Sequence, residues 1–170
     1  MMNKLRLLFT LFFTLNFLLF SWSQGGANQH TKWKTSVKQK AGSDRATLVI
    51  QATVGPEWHG YSIYPAAPDD GPLPTEFTFE ESTNYALDGD MSEKGMKKAF
   101  DEVFELDVLE FYPTATWEQG IKVSSQEDFV VKASFFYQIC KEGMCIMDTK
   151  NLVFQVKGAK SAVSTSSETN

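Results

Sequence analysis

The 170-residue chain contains only two cysteines, two histidines, six prolines and eleven glycines, and each scarcity excludes something. Two cysteines cannot staple a disulfide-dense miniature scaffold. So little proline and glycine excludes a fibrous chain. No basic cluster interrupts a formal charge of −5, which argues against nucleic acid as the main partner. What is present is apolar: 42% of the residues are hydrophobic and 14% aromatic, too many for a disordered polymer. The length suits one domain.

The one long uncharged run is Leu7 to Phe20, LLFTLFFTLNFLLF, preceded by Lys4 and Arg6. It is short of the ~20 residues that span a bilayer and suits the apolar stretch of a secretory signal, with an uncleaved membrane anchor as the alternative. Ser21 and Ser23 place small residues before a cleavage point, expected between Ser23 and Gln24. Lys4 and Arg6 are the only charges removed, so the mature chain carries −7. An exported product is expected, periplasmic or secreted, with no stable membrane insertion after cleavage.

Residues 24–30 are small and polar and read as a leader; residues 159–170, rich in serine and threonine, read as a disordered tail. Between them, periodicity is mostly two. Ala46–Val54, Phe129–Tyr137 and Leu152–Val156 are β-branched or aromatic and partly alternating. Shorter strands are expected near Trp33–Lys40, Tyr61–Tyr64, Thr75–Glu80, Val108–Tyr112 and Trp117–Val123. Turn residues separate them, as at Ala41-Gly42-Ser43-Asp44 and Pro68-Asp69-Asp70-Gly71-Pro72. This spacing predicts an all-β, antiparallel sandwich over residues 31–158. Ser92–Phe104 alone has helical composition, weakened by Gly95, and predicts a helical turn or an ordered loop. Trp33, Trp58 and Trp117 are expected to fill the core or its edge.

Both cysteines lie in FFYQICKEGMCIM, residues 135–147. Strand-like sequence approaches Cys140, four residues including Gly143 follow, and Cys145 starts the return. A hairpin would set the two opposite one another at ~4.5–5.5 Å between Cα atoms, inside the disulfide window. An exported compartment permits the oxidation. Such a bridge closes a loop of about six residues, for which chain entropy predicts only ~2 kcal/mol. A weak staple leaves room for a redox role, and spacing alone leaves the structural and redox readings both open. C-x4-C is not the C-x-x-C of thioredoxin-like helices. A zinc site from Cys140, Cys145, His30 and His59 fits no common ligand spacing, so neither metal nor cofactor is expected. No histidine is near the cysteines in sequence, and His59 has no nucleophile to form a triad. Lys141 would favour a thiolate, while Glu142 and Asp148 would oppose it.

Order and spacing of several short pieces give a resemblance from about Trp33 to Val156. They are Trp33-Lys34-Thr35-Ser36-Val37, Glu57-Trp58-His59-Gly60-Tyr61-Ser62, Gly71-Pro72-Leu73-Pro74-Thr75, Phe77-Thr78-Phe79, Asp101-Glu102-Val103-Phe104 and Tyr137-Gln138-Ile139-Cys140 through Cys145. Together the chain resembles the amino-terminal periplasmic domain of DsbD-type thiol:disulfide interchange proteins. The resemblance implies an immunoglobulin-like sandwich in which Cys140 and Cys145 cycle between dithiol and disulfide. Cys145 would form the mixed disulfide with partners. Asp101, Glu102 and Phe104 would lie in a cap loop shielding the pair, and Tyr61 would neighbour it. The implied activity is a component of protein-disulfide reduction. It would receive electrons from a membrane-embedded thiol donor and pass them to periplasmic thioredoxin-like proteins, both expected as separate chains. The competing expectation is a secreted immunoglobulin-like binding module with a purely structural disulfide.

Overall fold

A computed structural model describes residues 26–67 and 71–159. The expected signal segment and its Ser23–Gln24 cleavage point, the Pro68-Asp69-Asp70 part of one turn, and the tail beyond Ala159 lie outside the described residues.

Alternating apolar and polar residues satisfy a pleated, half-buried backbone, and the described chain forms nine strands. They are β1 (Thr31–Gln39), β2 (Arg45–Val54), β3 (His59–Tyr61), β4 (Glu76–Phe79), β5 (Tyr85–Leu87), β6 (Ser92–Asp101), β7 (Leu106–Val123), β8 (Phe129–Lys141) and β9 (Met144–Val156). All pairings are antiparallel, in the order β1-β2-β7-β3-β8-β4; β5 and β6 also pair with β7, and β9 with β8. Two stretches expected as separate strands, Val108–Tyr112 and Trp117–Val123, belong to the single strand β7.

The sheet folds on itself as an immunoglobulin-like sandwich. Trp33 of β1 meets Phe135 and Tyr137 of β8 at ring separations of 4.5 and 5.0 Å. Trp117 of β7 meets Phe77 of β4 at 5.6 Å and Phe135 at 5.3 Å. Trp117 and Phe135 are wholly excluded from solvent. Each large buried side chain contributes roughly 1.5–3 kcal/mol through water released from apolar surface. The leader contributes as well: Ala27 is buried in a 3-10 turn, and His30 stacks on Trp58. At the other end Ala159 is buried, and its amide donates to Ser125.

The helical reading of Ser92–Phe104 is overturned. Residues 92–101 are strand β6, paired with β7 from Ser92↔Glu118 to Asp101↔Leu106. Long-range pairing outweighs the local composition here. Gly95, which weakened the helix, has a different function: its φ is 96°, and the register slips between Lys94 and Met96. A Cβ there would stand 2.5 Å from the Thr114 carbonyl oxygen, so this bulge takes glycine. The apolar residues at helical spacing do not form a buried stripe; Phe100 and Val103 are exposed.

Candidate functional site

The site begins with the hairpin of β8 and β9. Their ladder runs from Phe129↔Val156 to Lys141↔Met144, leaving a turn of only Glu142 and Gly143. Both have positive φ, 40° and 75°, the arrangement of a tight two-residue hairpin turn. The connection is therefore shorter than the four residues expected, because Lys141 and Met144 are part of the strands. One step in from that closing pair, Cys140 and Cys145 stand directly opposite, with Cα atoms 4.1 Å apart. They form a disulfide with an S–S length of 2.02 Å.

Parity decides which side of the sheet carries the sulfurs. Val131, Ala133, Phe135, Tyr137 and Ile139 face the main core, so Gln138 and Cys140 face the other way. Cys140 is nevertheless buried, 2% exposed, whereas Cys145 is only half-buried. The cover is a second, small apolar cluster in which Tyr61, Val108 and Cys140 are buried and Leu106 and Cys145 pack against them. Strand β3 delivers Tyr61: it inserts between β7 and β8, pairing His59 with Cys140 and Tyr61 with Glu110.

The polar half of the cover is centred on Asp101. Its Oδ2 accepts a 2.7 Å hydrogen bond from the Tyr61 hydroxyl. Its Oδ1 accepts from the amides of Val103 and Phe104, at 2.8 and 3.2 Å. One carboxylate thus ties the turn between β6 and β7 to the tyrosine packed on the cysteines. The Phe104 ring, half-buried, stands edge-on to Tyr61 with centroids 6.5 Å apart. Glu102 is exposed. Asp101 and Glu102, adjacent in sequence, therefore differ: one is a buried anchor and the other is on the solvated face.

His59 has no nucleophile in a triad but stands in register with Cys140. Its Nε2 lies 3.0 Å from the Tyr61 hydroxyl, 3.9 Å from Asp101 and 3.8 Å from Glu110. Since the hydroxyl proton is directed to Asp101, the phenol oxygen meets His59 as an acceptor. Burial, then the Asp101 hydrogen bond, then the charges of Asp101 and Glu110 hold the Tyr61 phenol well above its usual pKa. It stays a neutral donor throughout the physiological range.

Gln138, part of the Tyr137-Gln138-Ile139-Cys140 motif, touches the disulfide. Its Oε1 accepts from the Leu73 amide at 3.0 Å, and its Nε2 donates to Cys140 Sγ at 3.3 Å. Alternation along β8 could have flagged it, because a buried glutamine on the face opposite the core needs partners.

Of the three charged neighbours in sequence, Lys141 and Asp148 are engaged elsewhere. Lys141 turns away to lie over the Trp58 ring at 5.2 Å and 3.8 Å from Glu57. Asp148 accepts from the Asn28 amide at 3.0 Å, pinning the leader. Conversely, His59, remote in sequence, is in register with Cys140. Of the residues weighed for zinc, both sulfurs are joined to each other and His30 stacks on Trp58.

The model of a family described as "Thiol:disulfide interchange protein DsbD, N-terminal" matches residues 28–157. Comparison with curated proteins finds no match. Among solved structures, the chain is similar to the N-terminal periplasmic domain of ScsB from Proteus mirabilis, with TM-score 0.57 and 13% identity. That alignment covers 83% of this chain and 53% of the other, so the chain spans about half the length of that relative. It is also similar to the Neisseria meningitidis DsbD N-terminal domain in the reduced form, with TM-score 0.50 and 13% identity, covering 79% of this chain and 90% of that one. At such identities these likenesses speak for the fold, while the family match covers most of the sequence and includes both cysteines. Among the described residues no helix is long and apolar enough to cross a membrane. The chain belongs to the family of amino-terminal domains of DsbD-type thiol:disulfide interchange proteins.

Proposed function

We propose that the Cys140–Cys145 pair relays reducing equivalents in the periplasm, from a membrane-embedded thiol donor to thioredoxin-like acceptors on separate chains. The observation that carries this reading is the unequal exposure of the two sulfurs' residues: Cys145 is reachable, whereas Cys140 is buried behind it. A donor thiolate attacks Cys145 Sγ. The intermolecular S–S bond forms as the Cys140–Cys145 bond breaks, and the electron pair leaves on Cys140 Sγ, which then takes a proton. The donor's second thiolate resolves the mixed disulfide and frees Cys145; the donor has lost two electrons and the hairpin has gained them. Toward an acceptor the steps reverse, with Cys145 attacking and Cys140 resolving.

A bridge across one hairpin stabilises the fold little, ~2 kcal/mol by chain entropy, which supports reversible use over structural use. In this reading Asp101, Glu102, Phe104 and Tyr61 form a cap that limits attack by small thiols and yields to a docked partner.

Trapping tests the proposal. Cys140→Ser is expected to accumulate a mixed disulfide through Cys145 with a thioredoxin-like protein, and Cys145→Ser is not. A reduction potential below about −300 mV, with no partner captured by either variant, would instead establish a structural disulfide in a binding module.

A further inference from the structure

The leaving sulfur faces a difficulty. When the disulfide opens at Cys145, negative charge develops on Cys140 Sγ, which is 2% exposed and packed with Tyr61 and Val108. An anion there loses water and gains little from an apolar wall. The charged groups gathered around Tyr61 carry the same sign: Asp101 is hydrogen-bonded to it, and Glu110 is paired with it across the strands. His59, between the two carboxylates, directs Nε2 to the Tyr61 hydroxyl. Lys141 points to the opposite face.

One side chain meets the difficulty. Gln138 is 5% exposed and lies two residues from Cys140 on the same strand face. Which end of its amide meets the sulfur is settled by its other partner. The Leu73 N–H is a donor, so it must be met by Oε1, and Nε2–H is thereby turned to Cys140 Sγ at 3.3 Å. The segment Gly71-Pro72-Leu73-Pro74 thus has a use beyond turning the chain. Thr75 fixes it from the other side, its amide and hydroxyl donating to the carbonyls of Ser62 and Tyr61.

We infer that Gln138 is a catalytic residue of the exchange, donating from Nε2 to the Cys140 sulfur as it becomes a thiolate, with the Leu73 amide as its positioning group. A donor set in place before the charge forms needs no reorganisation at the moment of reaction. It makes Cys140 a better leaving group, and exchange quickens as the leaving thiol becomes more acidic. The inference rests on the proposed exchange only for which sulfur leaves.

The test uses no protein partner. In a Cys145→Ser background, the thiolate absorbance of Cys140 is titrated with Gln138 intact and with Gln138→Leu or Gln138→Glu. Gln138→Glu keeps an oxygen for Leu73 and nearly the same shape, so it serves if the leucine variant fails to fold. Loss of the donor is expected to raise the Cys140 titration midpoint by about one pH unit, and the carboxylate by more. With both cysteines present, the same substitutions are expected to slow reduction by dithiothreitol about tenfold. A Cys140 titration that stays in place in the folded variants overturns the inference; slower reduction alone would then reflect loop packing. Failure to capture a thioredoxin-like partner would refute the relay and leave the titration result standing.

Discussion

On one face of β8, Val131, Ala133, Phe135, Tyr137 and Ile139 enter the sandwich and are almost wholly buried. On the other face, Val130 and Lys132 are exposed, and burial returns only at Gln138 and Cys140. The two faces are held by different forces. Apolar contact organises the first, through edge-on and tilted ring contacts from Trp33 to Phe135 to Trp117. On the second, a small apolar cluster is tied in place by hydrogen bonds: Leu73 to Gln138 to Cys140, and Val103 and Tyr61 to Asp101. Per group, a hydrogen bond adds less net free energy than the burial of a large apolar side chain, so the core face carries most of the stability.

Phe135→Ala should break this comparison most heavily. It empties a fully buried position among Trp33, Phe77, Trp117 and Tyr137 and should cost about 3–5 kcal/mol in urea denaturation. The protein that remains folded should react with dithiothreitol at the wild-type rate. A large change in that rate would show that the two faces are coupled.

Alkaline pH is the next largest expected effect. Burial pushes the Tyr137 phenol up to about 12. As pH rises past the ordinary phenol value of about 10, the unfolded chain gives up this proton before the folded one does. The share of stability that depends on Tyr137 is therefore complete below about pH 10 and declines toward about pH 12, by up to about 2–3 kcal/mol, and the raised Tyr61 phenol adds to the loss. Denaturation midpoints across that interval measure the loss, and Tyr137→Phe should remove its share.

Tyr61→Phe is the most selective. It deletes the hydroxyl that joins Asp101 to the cysteine cover and, because the acceptor is a buried carboxylate, should cost about 2 kcal/mol globally. Reduction of the disulfide by dithiothreitol should nevertheless become faster, because the turn at residues 102–105 loses its tie to the cluster. An unchanged rate would separate that turn from any shielding of the sulfurs.

The strands around Ala46–Val54, Phe129–Tyr137 and Leu152–Val156 were legible because β-branched and aromatic residues recur there with period two. The hairpin was legible from Gly143 between two strand-like runs. Strand β6 was not, because Lys, Met and Ala in SEKGMKKAF favour a helix locally, and only the edge offered by β7 makes them a strand. His59 beside the cysteines was likewise illegible: Cys140 is 81 residues away along the chain, and the neighbourhood comes from register across β3 and β8.

Sequence alone determined that this chain builds an antiparallel β-structure and sets its two cysteines across one short hairpin, because alternation and turn chemistry act over a few residues. Tertiary structure decided which sulfur is buried, that Asp101 is an anchor while Glu102 is solvated, and that Gln138 faces Cys140. Those outcomes depend on which strand lies beside which, and strand neighbours far apart in sequence are chosen by packing of the whole sandwich.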